Sequence, residues 1–168
     1  MGTIQSSVNQ VLGTAGTAAA IAEHLSKERK EVAAANAADT EVIKRNETSY
    51  EEIEIEDADI VLTAFGSMTR NIKAAMKVLR EKGLKVGCFR PITLSPFPSE
   101  RLLELSKQGK DFVVVEMNMG QMFKDVKSAV EGNSKVSLLN RPCGEWLSVD
   151  EIVESVLEEV KVNGYARV

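Results

Sequence analysis

The sequence has little of what metal sites and many catalytic sites require. Among its 168 residues there are two cysteines, Cys88 and Cys143, and one histidine, His24. An iron–sulfur cluster or a structural zinc site needs about four thiolate or imidazole ligands, so this chain does not supply one. The two cysteines form no CxxC pair, and separate reduced thiols are typical of a reducing compartment. The composition predicts no metal site and a cytoplasmic protein.

An excess of positive charge and a long apolar run are also absent. The chain has 21 Lys and Arg residues against 25 Asp and Glu residues, a formal net charge of -4. Nucleic-acid-binding domains usually present a basic face, so we expect no nucleic-acid partner. No apolar run approaches the roughly 20 residues that span a bilayer, and the N-terminus lacks the pattern of a signal peptide. We therefore expect no membrane partner.

The glycine-rich loops of nucleotide-binding folds are missing as well. No Walker A sequence occurs, and the turn at Gly66 and Ser67 has one glycine where a dinucleotide-binding fold needs three. This turn is still a candidate anion site, because the first N–H groups of the helix that follows are free to bind an anion. A glycine and a serine are equally typical of an ordinary strand-to-helix turn. Both interpretations of Gly66 and Ser67 stay open.

The first part of the chain differs in composition from the rest. Residues 14–38 are rich in Ala, Glu and Lys and contain no aromatic residue. This composition predicts a helix with little to bury, which is solvated, bound to a partner or mobile. We place a boundary near Asn46. Residues 1–45 then form an N-terminal segment of unknown role, residues 46–162 a compact domain, and residues 163–168 a polar tail.

Strand-like and helix-like patterns alternate from Tyr50 onward. Charged residues make 50–55 a candidate edge strand, whereas residues 58–65 are apolar on both faces and 84–89 form a second buried strand. The other strand-like segments are residues 111–116 and 135–140. Helical spacing marks residues 68–82, the segment containing Leu102 and Leu105, 121–130 and 148–161, with Ser99 and Ser148 as caps. The alternation predicts an α/β fold: an open, mostly parallel sheet with helices on both faces.

Two turns at the carboxyl edge of this predicted sheet carry unusual residues. Right-handed crossovers bring the carboxyl ends of all parallel strands to one edge, where α/β folds bind ligands and partners. The first turn, residues 89–98, contains three prolines together with Arg90, Leu94 and Phe97. Its apolar side chains are expected either to seal the top of the sheet or to lie at the centre of a protein interface. Trp146, in a later loop, is expected to pack in the core, with partner contact as the alternative.

The second turn begins with an ionisable residue. Glu116 follows four apolar residues of a predicted central strand, and an isolated buried charge is very unfavourable. Arg90 and Arg141 reach the same edge, so we favour an ion pair between Glu116 and one of them. A contact with a partner and a catalytic acid–base role are the alternatives. No nucleophile with an adjacent base is visible, so the sequence gives little support for catalysis by this chain alone.

Several segments keep the order and spacing of a known family. They are Asp57–Val61, Phe65–Ser67, Lys85–Gly87, Phe89–Pro98 and Val114–Met122. With these segments, the region from about Ile43 to Val160 resembles the C-terminal domain of the α subunit of 2-oxoacid:ferredoxin oxidoreductases, and the 2-oxoisovalerate type is the most similar. The resemblance implies a transketolase-C-terminal-like fold with one antiparallel edge strand, for which Tyr50–Ile55 is the candidate.

The resemblance also implies a function. The family oxidatively decarboxylates 2-oxoacids such as 2-oxoisovalerate, pyruvate or 2-oxoglutarate. Its thiamine diphosphate and iron–sulfur clusters are bound elsewhere in the complex, so no catalytic, cofactor-binding or metal-binding residue carries over to this chain. What carries over is a supporting role in assembly for Arg90, Glu116, Asn118 and Gln121. We do not expect the chain to be active alone.

The partners implied are the thiamine-binding N-terminal domain of the α subunit, the β subunit and a symmetry mate in a homodimer. We expect a contact with another chain to be lined by Leu94, Phe97, Met117, Asn118 and Gln121. The sequence departs from the family in two places. Residues 1–45 are too short for the thiamine-binding domain, and Cys143 and Gly144 stand where a Gly-Gly pair is common. An independent nucleotide- or acyl-binding module and an adaptor with a functional N-terminus are the alternatives.

Overall fold

The computed structural model describes residues 17–142 and 146–163, and for residues 17–22 and 163 it describes the backbone alone. Cys143 and Gly144 lie outside the described residues, as do residues 1–16 and 164–168, so the structure does not address what the sequence predicts for them. The chain divides into two units, residues 1–46 and residues 47–168. Each unit is described by itself below.

The described residues of the first unit form a long helix, α1, which spans Thr17–Glu47, so its last residue belongs to the second unit. Every side chain from residue 23 to residue 47 is exposed, as expected for a helix without an apolar stripe. A contact between His24 Nε2 and Glu28 Oε1 at 3.2 Å and an ion pair between Lys44 and Glu41 at 2.8 Å join successive turns. The helix continues well past residue 38, where the Ala-rich composition ends. Of the helices that the structure describes, none is both long and apolar enough to cross a membrane.

The second unit contains alternating strands and helices. The strands are β1 (Tyr50–Ile53), β2 (Ile60–Thr63), β3 (Val86–Pro91), β4 (Asp111–Glu116) and β5 (Val136–Asn140). The helices are α2 (Met68–Glu81), α3 (Ser99–Lys107), α4 (Gln121–Ala129) and α5 (Val149–Asn163). The capping box predicted at the start of α5 is confirmed, because the Glu151 N–H donates to Ser148 Oγ and the Ser148 N–H donates to Glu151 Oε2. The predicted cap of α3 is wrong. Pro98 occupies the cap position, and Ser99 is the first helical residue.

The described residues form a sheet of five strands in the order β1-β3-β2-β4-β5. Strand β1 pairs antiparallel with β3, with Tyr50 opposite Pro91, and the other three pairs are parallel. This arrangement confirms the predicted fold class, including the antiparallel edge strand. Carboxylates on β1 suit an edge position, because charge discourages pairing with the strand of another molecule.

Helices cover both faces of the sheet. One face packs against α2 and α5 with residues such as Leu62, and the other packs against α3 and α4 with residues such as Val61. All four residues of β2 are buried because this strand lies in the middle of the sheet. Period-two alternation then sends consecutive apolar side chains into opposite cores, which explains why the strand is apolar on both faces.

The strand order places the turns after β3 and β4 at the same edge of the sheet. The register places Thr63 at the end of β2 level with Phe89 in β3 and Val114 in β4. Arg90 and Glu116 therefore lie beyond that level on the same edge of the sheet, as predicted. The chain leaves β2 towards β3 on one side and then returns as β4 on the other side. Such a topological switch point opens a crevice beyond the carboxyl ends of β2 and β4.

Candidate functional site at the carboxyl edge

The buried carboxylate of Glu116 caps helix α4. Its side chain is 1% exposed. Oε2 accepts a hydrogen bond from the backbone N–H of Met122 at 3.1 Å, and Oε1 accepts one from the N–H of Phe123 at 2.9 Å. These N–H groups belong to the first turn of the helix, where no intrahelical acceptor is available. The positive end of the helix dipole also favours a negative charge at this position.

The ion pair predicted for Glu116 is wrong. Arg90 Nη1 pairs with Glu51 Oε2 at 3.4 Å, and Arg141 Nη2 pairs with Glu151 Oε1 at 2.6 Å. The start of α4 supplies donors to Glu116 without the need for a cation. Two sequence signals could have indicated this arrangement, namely a carboxylate at the end of a strand and a glycine immediately before the next helix.

Asn118 stabilises the turn between β4 and α4. Its Oδ1 accepts hydrogen bonds from the N–H groups of Gly120 at 2.9 Å and Gln121 at 3.0 Å. Its carbonyl oxygen accepts a third hydrogen bond, from Asn140 Nδ2 at 2.7 Å. Gly120 adopts a left-handed conformation with φ of 83°, which a glycine tolerates without strain. The turn is rigid as a result, and it leaves Met119 73% exposed.

The Pro-rich turn after β3 is held at one side and exposed at the other. The N–H groups of Ile92 and Thr93 donate to the carbonyl oxygen of Ser49 at 2.9 and 3.1 Å. Phe97 is partly buried and packs against the core under α3 and α4, so it helps to seal the sheet. Leu94 is 47% exposed. The turn therefore divides between the two expected roles, because one apolar side chain seals the core and another faces solvent.

Large exposed apolar side chains occur in three of the turns at this edge, and the turn after β2 separates the first of them from the other two. Ile92 and Leu94 come after β3, Met119 after β4, and Trp146 after β5 with an exposed fraction of 56%. The expectation that Trp146 packs in the core is wrong, because the next residue, Leu147, takes the buried position and is 2% exposed. Apolar side chains left in water at one edge are typical of an interaction surface. Neither Met119 nor Trp146 was among the contact residues predicted from the sequence.

A basic cavity lies beside the carboxyl end of β2. It has a volume of about 550 Å³ and is lined by Gly66, Ser67, Thr69, Arg70, Lys73 and Arg90. Glu51, on the edge strand, accepts hydrogen bonds from Lys73 Nζ at 2.8 Å and from Arg90 Nη1 at 3.4 Å. The hydrogen bond from Lys73 is the main reason that the pKa of Glu51 lies below its usual value. The cavity adjoins the turn at Gly66 and Ser67 that the sequence marks as a candidate anion site.

The described residues offer little for metal binding or nucleophilic catalysis. In residues 17–142 and 146–163, no three His, Cys, Asp or Glu side chains are grouped to hold a metal ion. The Cys88 thiol is 1% exposed, and burial raises its pKa to about 12. Because the thiolate is the nucleophilic form, Cys88 is inert at neutral pH and serves as a small core residue.

The fold and this edge together define an open α/β domain of transketolase-C-terminal-like topology. Residues 58–152, more than half of the chain, match the family model described as pyruvate:ferredoxin oxidoreductase core domain II. The chain belongs to this family. This result confirms the resemblance that the sequence segments indicate.

Two relatives illustrate the relationship. The chain is 46% identical over 116 residues to ketoisovalerate oxidoreductase subunit VorB of Methanothermobacter marburgensis, a match that covers 69% of this chain and 33% of that subunit. It is 41% identical over 101 residues to 2-oxoglutarate synthase subunit KorA of Methanocaldococcus jannaschii, covering 60% of this chain and 27% of that subunit. The chain thus spans about a third or less of the length of these relatives.

A solved structure supports the same fold. It is 2-oxoglutarate:ferredoxin oxidoreductase from Magnetococcus marinus with 2-oxoglutarate, coenzyme A and succinyl-CoA bound. The likeness has a TM-score of 0.56 at 24% identity and covers 67% of this chain and 20% of that chain. At this level of identity the likeness concerns the fold alone.

Proposed function

We propose that residues 46–162 form a non-catalytic assembly domain of a 2-oxoacid:ferredoxin oxidoreductase. The observation that carries this proposal is the set of exposed apolar side chains at the carboxyl edge of a domain that belongs to this family. An α/β domain with its core already complete does not need Leu94 and Met119 in water. Their exposure is explained when another domain of the same enzyme covers them.

The reaction that we assign to the whole complex is the oxidative decarboxylation of a 2-oxoacid. The ketoisovalerate oxidoreductase relative supports 2-oxoisovalerate as substrate, with pyruvate and 2-oxoglutarate as the alternatives. Thiamine diphosphate would supply the decarboxylation chemistry and iron–sulfur clusters the electron transfer, both from other parts of the complex. This chain would contribute packing, and we propose a cytoplasmic location for it.

We further propose that Leu94, Phe97, Met117, Asn118 and Gln121 contact another chain. These five residues differ in how strongly their exposure supports a contact. Leu94 and Gln121 are exposed and free to be covered, whereas Phe97 and Met117 are partly buried against the two cores. Asn118 holds the turn that presents Met119. The partners proposed are the thiamine-binding N-terminal domain of the α subunit, the β subunit and a second copy of this chain.

Co-purification tests this function. The 168-residue chain should co-purify with a matching thiamine-binding α N-terminal domain or β subunit, or self-associate in light scattering. The variant carrying Phe97→Asp and Met117→Asp should lose this assembly. Because both residues pack against the cores, circular dichroism separates loss of the interface from loss of the fold. The pure chain should not oxidise 2-oxoisovalerate with a viologen dye. Assembly of the double variant as efficient as that of the parent would place the interface elsewhere.

A second candidate function keeps the domain independent. The basic cavity at Gly66 favours a small nucleotide- or acyl-binding module over an adaptor, because three of its lining residues, Arg70, Lys73 and Arg90, are cationic. Thermal-shift measurements with nucleotides, coenzyme A and thiamine diphosphate address this candidate. Deletion of residues 1–45 addresses the adaptor, since loss of a partner on deletion would assign the function to the N-terminal segment.

A further inference from the structure

We propose that the basic cavity between α2 and β3 binds the phosphate group of a small soluble molecule. The volume of about 550 Å³ lies within the range of small-molecule sites, roughly 300–1,000 Å³, and leaves room for more than the phosphate itself. The site lies at the carboxyl edge of the sheet, next to the end of β2 and on the side of β3. This inference concerns the domain alone and does not depend on the assembly function.

The charges around the cavity favour an anion with two negative charges. Arg70 and Lys73 extend from α2 and Arg90 from β3, so three positive charges line the cavity. Glu51 neutralises one of them, through its contacts with Lys73 and Arg90. Arg70 is exposed and makes no ion pair with any residue in the described ranges. Two positive charges therefore remain, which matches a phosphate better than a single carboxylate.

Arg90 lines the cavity at the end of β3. Its side chain is 39% exposed, and Nη1 contacts Glu51 Oε2 at 3.4 Å. The Nε–H is shielded from solvent and therefore does not face the cavity. Arginine presents its donors in a planar fork that fits phosphate oxygens. An anion in the cavity would be bound by the exposed part of the guanidinium while Nη1 keeps its contact with Glu51.

The backbone at the start of α2 is also arranged for an anion. Gly66 has φ of 61°, and no described atom lies within 4 Å of the position that a β-carbon would take. Helix α2 has 14 residues and no acidic residue in its first turn, and Ser67 at its cap makes no side-chain capping bond within the described part of the chain. The N–H groups of Thr69 and Arg70 donate to the carbonyl oxygens of Gly66 and Ser67 at 3.3 and 3.2 Å, so those of Ser67 and Met68 are the ones left for an external anion. The helix dipole favours an anion there, whereas at α4 the carboxylate of Glu116 already fills this role.

Calorimetric titration of the 168-residue chain at fixed ionic strength tests the proposal. The phosphate probes are pyrophosphate and ADP, and succinate is the carboxylate probe. We expect the phosphate probes to bind and to shift the amide resonances of Ser67 and Met68. Arg70→Gln and Arg90→Gln should each weaken that binding by about tenfold or more, the factor expected when one charge-assisted hydrogen bond is lost.

Lys107→Gln is the matched control. It removes one positive charge from an exposed position at the end of α3, outside the cavity, and should leave the affinity unchanged. Arg90→Gln also removes the ion pair with Glu51 and therefore changes more than the cavity. Arg70 is exposed, so Arg70→Gln tests the site without disturbing that pair. The proposal is overturned by no binding of either phosphate probe, by succinate binding as tightly as pyrophosphate, or by equal weakening in Lys107→Gln.

Discussion

Glu116 Oε1 accepts a hydrogen bond from the backbone N–H of Phe123 at 2.9 Å. This contact joins the end of the central strand β4 to the first turn of α4. It gives the buried carboxylate a structural role and fixes both ends of the loop that exposes Met119. The residue with the strongest chemical signal in the sequence therefore positions the candidate interface instead of taking part in it.

Glu116→Gln should destabilise the domain. An amide offers one oxygen where the carboxylate offers two, so one of the N–H groups of Met122 and Phe123 loses its acceptor. The expected loss in the free energy of unfolding is about 1–3 kcal/mol, the usual effect of a buried donor without a partner. Urea denaturation measures it. Glu81→Gln, at an exposed position in α2, is the control and should change stability by no more than about 0.5 kcal/mol. Equal stability of the two variants would show that the carboxylate is not needed.

The capping box of α5 should make stability depend on acid pH. Hydrogen bonds from the Ser148 backbone N–H and hydroxyl, together with Arg141, lower the pKa of Glu151 from 4.5 to about 2. A lowered pKa in the folded state contributes stability that is fully present above pH 4.5 and is lost as the pH falls towards 2. The difference in urea midpoint between the parent and Glu151→Gln should therefore shrink over this range. A constant difference from pH 6 to pH 2 would contradict the assignment.

Gly87→Ala should be destabilising although the residue lies in a strand, where alanine is usually tolerated. A β-carbon at this position would lie 2.8 Å from the carbonyl oxygen of Glu54. Arg80 holds that carbonyl with a hydrogen bond of 2.7 Å, so the backbone is not free to move away. We expect a loss of about 1–3 kcal/mol, typical of overpacking, in urea denaturation. Stability within about 0.5 kcal/mol of the parent would show that the backbone at Glu54 moves away to accommodate the β-carbon.

Local patterns in the sequence predicted most of the sheet. The apolar run from Phe112 to Val115 located β4, and helical spacing over residues 121–130 located α4, so the bounds of both elements nearly match the structure. The common carboxyl edge followed from the handedness of the crossovers, which holds for almost every parallel pair. These features depend on periodicity and chain connectivity, and both can be read from the sequence.

Partner choice within the site could not be predicted in the same way. Sequence order gives no distance, so Arg90 and Arg141 were equally good partners for Glu116, although the edge strand and the capping box supply Glu51 and Glu151 instead. The exposure of Trp146 was missed because a loop has no period to show which neighbour is buried. Glu51 escaped notice as part of the basic cavity because it comes from the antiparallel strand, 39 residues before Arg90.

Substitution of the exposed apolar residues should test the interface more cleanly than substitution of Phe97 and Met117, because these two residues are partly buried against the cores. Leu94 is 47% exposed and Met119 is 73% exposed, so Leu94→Asp and Met119→Asp together should change the urea midpoint much less than substitutions in the core. If these side chains are covered in the complex, burying two uncompensated carboxylates there is strongly unfavourable, and co-purification with the partner subunits should be lost.

Val162→Asp is the matched control for this pair. Val162 is 83% exposed and lies near the end of α5, a helix that begins just after the carboxyl edge and runs away from it. The same chemical change at this position should preserve both stability and assembly. Loss of assembly in the Val162 variant, or full assembly of the Leu94 and Met119 double variant, would move the interface away from the carboxyl edge. In either case the exposure of Met119 would need an explanation other than partner contact.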